Sequence, residues 1–206
     1  MSTTSSSPKR RRITDLNKII LASSSPRRLE LLRQMGMEPV VVPSRVPEEV
    51  KAGESAEDAA LRLAVAKAGE VARLFHDGLV IGADTVVTID GMQLGKPEDE
   101  TDAKRMLKLL SGRSHTVVTG LAVINAKTLE SKTTRVKTTV RFKKISEEEI
   151  DSYISTGDPM DKAGAYGIQG RAAAFVEGIE GCYSNVVGLP LSELMDLLKT
   201  FGVALV

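Results

Sequence analysis

Tryptophan is absent from this chain of 206 residues, cysteine occurs once and histidine twice. The single thiol, Cys182, excludes an internal disulfide framework and suits a reducing compartment, so a cytoplasmic protein is expected. Two His and one Cys are too few for a His/Cys zinc site. A catalytic metal would therefore rest on carboxylates, which points to Mg²⁺ or Mn²⁺. Aromatics make up only 3% of the chain, too few to build a stacking platform for single-stranded nucleic acid. The net charge is +1, which gives no bulk attraction to DNA or to a membrane surface. No apolar run approaches the ~20 residues of a membrane span, and no secretory signal is visible. Neither a nucleic-acid nor a membrane partner is expected.

What is present is a hydrophobic content of 42%, enough for a real core in one α/β domain or two small lobes. Residues 1–16 are Ser/Thr-rich, then basic, and have no core-forming pattern; a disordered tail is expected, with the domain over 17–206. The run Lys9 to Arg12 matches a nuclear-localisation or acidic-surface patch, but a solvated tail is the reading favoured here.

The apolar run 19–22 reads as a short buried strand, followed by Ser23, Ser24, Ser25, Pro26, Arg27 and Arg28. Ser25 suits a helix N-cap and Pro26 the first helical position, so strand feeds helix through a loop facing free N–H groups. Two guanidinium groups reinforce that anion site. Residues 38–43 read as a second strand, and the loop after it carries Glu48 and Glu49, either metal ligands or an acidic rim. A capping-box-like Ser55 opens a long helix that contains Lys67, expected to face solvent.

Residues 79–89 form the most informative segment. It is apolar on both sides, as in a buried central strand, yet Asp84 and Thr85 interrupt it. A buried carboxylate needs a cation or a proton, so Asp84 is read as a metal ligand or general base, and Gly82 as a point of close approach. Lys96, between Gly95 and Pro97, is a candidate phosphate contact. A helix is expected over 101–110, paired strands over 114–124 and 129–142, and a short helix from Ser146. His115 is read as structural. Residues 158–170, with Gln169, form a loop too polar and long to be a mere connector. Then come a strand over 173–179, a turn over 181–185 and a last helix to residue 201. Cys182 has no His near it in sequence, which argues against a thiol nucleophile.

Ser23–Arg28, Gly82–Thr85, Leu94–Pro97, Ser111–His115 and Asp161–Gly170 together resemble the Maf-like nucleotide pyrophosphatases, in that family's order, over about residues 19–201. The resemblance implies an α/β fold with a long curved mixed sheet, flanking helices and two lobes around a central cleft. It implies hydrolysis of a nucleoside triphosphate to monophosphate and pyrophosphate with Mg²⁺ or Mn²⁺, and a homodimer. Arg27, Thr85 and Gln169 stand where the branch acting on dTTP and UTP has its distinguishing residues. The resemblance also puts Asp84, Lys67 and Lys96 in catalysis, Ser23, Ser25, Arg27 and Arg28 on the substrate, and the metal on Asp84 with Glu48 or Glu49. Two other readings stand beside it: a nucleotide-binding regulator of division or stress, and a nucleic-acid-associated protein acting through its basic tail.

Overall fold

The computed structural model describes residues 18–49 and 51–203; the expected tail over 1–16 lies outside them. Seven strands form one mixed sheet: β1 (Ile19–Leu21), β2 (Val40–Val41), β3 (Leu79–Ile89), β4 (Met92–Leu94), β5 (Ser114–Asn125), β6 (Ser131–Phe142) and β7 (Val176–Glu180). The order is β2-β1-β3-β5-β6-β7, with β4 on β3. Strands β1 and β2 are parallel, as are β1 and β3, and every other pair is antiparallel.

Among the described residues six α-helices cover the sheet: α1 (Pro26–Gln34), α2 (Ala56–Ala72), α3 (Glu100–Leu110), α4 (Glu147–Ile154), α5 (Tyr183–Val187) and α6 (Leu191–Thr200). Strand β3 is buried on both faces, as its continuous apolar run requires. Leu79, Ile81, Ala83, Val87 and Ile89 meet the larger core with α1, α3, α4 and α6. Val80, on the other parity, packs with Ala64, Ala68 and Val71 of α2. The helix α2 lies against the sheet at backbone distance. A Cβ on Gly82 would stand 2.4 Å from the Ala64 carbonyl, and one on Gly120 would stand 2.2 Å from that of Ala60. Only glycine permits that approach, which the expectation for Gly82 anticipated.

Four elements differ from the sequence expectation. The second strand is two residues long rather than spanning 38–43, since only Val40 and Val41 pair with β1. Residues 171–175 form a 3-10 turn before β7. Residues 183–187 form the short helix α5, in place of the turn expected over 181–185. Within the polar loop, 158–161 and 163–165 coil into 3-10 turns. No helix among the described residues is long and apolar enough to cross a membrane.

The short first strand matters most. Strand β1 pairs with β3 only as far as Ile81, and β4 begins to pair at Val87. Between them the β3 edge has neither strand as partner. Asp84 and Thr85 sit in the middle of that gap.

Candidate active site

The cleft opens at this gap. It is lined by the loop from Ser23 to Arg28, by Glu48, Lys67, Asp84, Thr85 and Lys96, and by Asp161, Lys162 and Gln169 from the long polar loop. Successive residues of a strand point to opposite faces, and Asp84 and Thr85 divide the site accordingly. Asp84 faces α2 and Lys67, whereas Thr85 faces Arg28.

On the α2 side, Lys67 Nζ donates to Asp84 Oδ1 at 2.5 Å and to Glu48 Oε1 at 2.6 Å. Lys96 Nζ donates to Glu48 Oε2 at 3.0 Å from the cleft rim. Lys67 is buried, against the solvent-facing position expected for it. It lies on the same helical stripe as Ala60, Leu63, Ala64 and Val71, so the apolar face itself carries the ammonium inward. Burial raises the Asp84 pKa above its ordinary 3.8, although Lys67 and Arg28 pull against that. Burial also acts on Glu48, but hydrogen bonds and charge from Lys67 and Lys96 outweigh it and hold that carboxyl down at about 2. Glu49 does not line the cleft; its carbonyl accepts from Arg62.

On the other side, Ser25 caps α1, accepting from the Arg28 amide, with Pro26 in the first turn as expected. Arg28 is held by three acceptors: Nε donates to the Gly188 carbonyl at 2.7 Å, Nη1 to Ser23 Oγ at 3.1 Å and Nη2 to Thr85 Oγ1 at 3.1 Å. Arg27 reaches across the cleft to Asp161, Nη1 to Oδ2 at 3.4 Å. Gln169 lines the cleft and is exposed.

The structure thus brings together every expected site residue except Glu49. It also adds Lys162, for which sequence reasoning assigned no role. Its Nζ donates to Asp161 Oδ1 at 2.6 Å and to the Asp158 carbonyl at 2.5 Å. The signal was its place beside Asp161 in a glycine-rich polar loop. In all, five cationic side chains (Arg27, Arg28, Lys67, Lys96, Lys162) face three carboxylates (Glu48, Asp84, Asp161), so the cleft favours a polyanion. His115 is not part of it: buried, it shares a 2.7 Å hydrogen bond between Nε2 and the Tyr166 hydroxyl, and burial lowers its pKa to about 4.

Asp84 and Glu48 are the carboxylates that could hold a divalent metal of the Mg²⁺ type. Asp84 and Glu48 converge on one small cation, the Lys67 ammonium. Among the described residues no group of three or more His, Cys, Asp or Glu could hold a metal. Two carboxylates completed by phosphate oxygens and water is the coordination Mg²⁺ favours, rather than an all-protein cage.

A family model described as Maf-like protein matches residues 18–201. A dTTP/UTP pyrophosphatase of Pelotomaculum thermopropionicum is 50% identical over 187 residues, 91% of this chain and 98% of the relative. One of Geotalea uraniireducens is 54% identical over 184 residues, 89% and 95% of the two chains. One of Moorella thermoacetica is 49% identical over 188 residues, 91% and 97%.

Proposed function

The chain belongs to the Maf-like protein family, and from that premise we propose that it is a nucleoside triphosphate pyrophosphatase acting on dTTP and UTP. Its relatives carry the name dTTP/UTP pyrophosphatase, and the reaction proposed is hydrolysis to the monophosphate and pyrophosphate. The observation that supports it most is the buried Asp84 carboxylate, set in a gap of the sheet edge, paired with Lys67 and lining a cleft that holds five cationic side chains.

In this reading the triphosphate lies along the cleft with its oxygens on Arg27, Arg28, Lys96 and Lys162. Ser23 and Ser25 hold the loop that presents the two arginines. Asp84 and Glu48 would hold the Mg²⁺ or Mn²⁺, with Glu48 preferred to Glu49 because it shares the Lys67 ammonium with Asp84. Such a metal supplies charge neutralisation to the phosphates and to the departing pyrophosphate. Asp84 accepts a proton from a water aimed at the α-phosphorus. A bond forms from that water oxygen to the phosphorus. The bond to the α–β bridging oxygen breaks, and its electron pair leaves on pyrophosphate. Lys67 holds Asp84 in place. Gln169, with both amide donor and carbonyl acceptor free to meet a base edge, selects the nucleotide.

A panel of normal and modified nucleoside triphosphates, assayed for pyrophosphate with Mg²⁺ and with chelator, tests this. Metal-dependent release strongest with dTTP and UTP is expected; no release from any pyrimidine triphosphate would overturn it.

A further inference from the structure

Thr119 lies on β5 directly opposite Thr85 and is fully buried in the sheet. Its hydroxyl has two partners, the Asn185 carbonyl at 3.1 Å and Thr85 Oγ1 at 3.0 Å. A hydroxyl has one proton, and a carbonyl can only accept. Thr119 therefore donates to Asn185, and in the threonine pair Thr85 is the donor. Thr85 Oγ1 then meets Arg28 with a lone pair, as the Nη2 contact at 3.1 Å requires. The arrangement that satisfies all three contacts at once runs in one direction: Arg28 to Thr85, Thr85 to Thr119, Thr119 to the Asn185 carbonyl.

The far end of the chain is itself anchored. Asn185 Nδ2 donates to the Val117 carbonyl at 3.1 Å and to Thr138 Oγ1 at 2.9 Å, which ties α5 to β5 and β6. Just beyond α5, the Gly188 carbonyl takes the Arg28 Nε proton. One short helix thus holds the guanidinium directly through Gly188 and indirectly through Thr119 and Thr85. Of the five N–H donors of Arg28, three are committed in this way, leaving one on each terminal nitrogen for a ligand.

We infer that Thr119, a buried residue that does not line the cleft, is a positioning residue for substrate: it fixes the direction of the Thr85 hydroxyl so that Arg28 is held preset for a phosphate chain. Thr85, its single proton spent on Thr119, acts chiefly through Arg28 rather than by donating to the nucleotide. This rests on the reading of Arg28 as a triphosphate ligand. Without the Thr119 hydroxyl, Thr85 loses its acceptor and is free to turn its proton toward Arg28, where a donor meets a donor.

Thr119→Val keeps the side-chain shape and removes the hydroxyl, and Thr119→Ser keeps the hydroxyl. Calorimetric titration with inorganic tripolyphosphate, which needs no turnover, is compared with KM and kcat for dTTP, after thermal unfolding has shown each variant folded. Thr119→Val should weaken tripolyphosphate by about ten-fold and raise KM alike, with kcat within about two-fold, and Thr119→Ser should restore both. In the Thr85→Val background, adding Thr119→Val should have no further effect on tripolyphosphate affinity. Wild-type affinity in Thr119→Val, additive losses in the double variant, or a wild type that does not bind tripolyphosphate would each overturn the proposal. A wild type that binds tripolyphosphate but releases no pyrophosphate from dTTP would instead defeat the proposed activity, and the titration would still decide the role of Thr119.

Discussion

Lys67 Nζ lies 2.5 Å from Asp84 Oδ1, and both side chains are buried. The ammonium is the main counterweight to the burial that raises the Asp84 pKa above 3.8. In the metal-free protein the Asp84 carboxyl should therefore titrate above that ordinary value. Removing the counterweight raises the pKa further, so Lys67→Met should move that titration to higher pH. Asp84→Asn should fold and lose about 100- to 10,000-fold in kcat. NMR titration of the Asp84 carboxyl in metal-free wild type and Lys67→Met, with steady-state kinetics on Asp84→Asn, checks this; an unmoved titration in Lys67→Met would contradict it.

Glu48 behaves in the opposite sense. Its carboxyl is held at about 2, below its ordinary 4.5, by Lys67 and Lys96 working against partial burial. A depressed folded-state pKa contributes stability above the unfolded value, and that contribution is lost as pH falls from 4.5 toward 2. Urea unfolding should show Glu48→Gln less stable than wild type above pH 4.5, with the difference closing as the pH approaches 2. The effect should be modest, because the side chain is half exposed to screening solvent.

Arg27 and Asp161 meet across the cleft in a partly exposed pair at 3.4 Å. A triphosphate on Arg27 must displace that carboxylate. Exposed pairs of this kind are worth at most about 1 kcal/mol. Asp161→Asn should accordingly lower KM for dTTP by up to about five-fold and leave kcat close to wild type. Steady-state kinetics decide it, and a raised KM would mean that Asp161 aids binding.

Gly82 and Gly120 let α2 rest on the sheet. Gly120→Ala and Gly82→Ala should each destabilise by about 1–3 kcal/mol in denaturant unfolding. Gly82→Ala should cost activity as well. Its added Cβ presses on Ala64 and Ala68, which flank Lys67 on the helix, and so displaces the ammonium from Asp84.

Much of this site was legible in the sequence. An apolar strand broken by Asp84 and Thr85 announced a buried carboxylate, and Ser25-Pro26 announced the capped helix that presents Arg28. The burial of Lys67 was legible too, since it falls on the alanine stripe, but a lysine's usual exposure masked that pattern. Other features were not. The gap in the β3 edge depends on where β1 and β4 stop pairing, which is a matter of tertiary register. Helix α5 has five residues, too few for a periodic signal, and hydrogen bonds from Asn185 and Thr119 to and from the sheet hold it in place. The choice of Glu48 over Glu49 rests on which carboxylate reaches Lys67, a difference of one residue in an irregular loop.

The central claim is that water attacks the α-phosphorus and pyrophosphate departs. Hydrolysis of dTTP in ¹⁸O-enriched water, with products resolved by mass spectrometry, tests it most directly. The account predicts one heavy oxygen in the monophosphate and none in pyrophosphate. Label in pyrophosphate, or a nucleoside diphosphate with labelled inorganic phosphate, would contradict it.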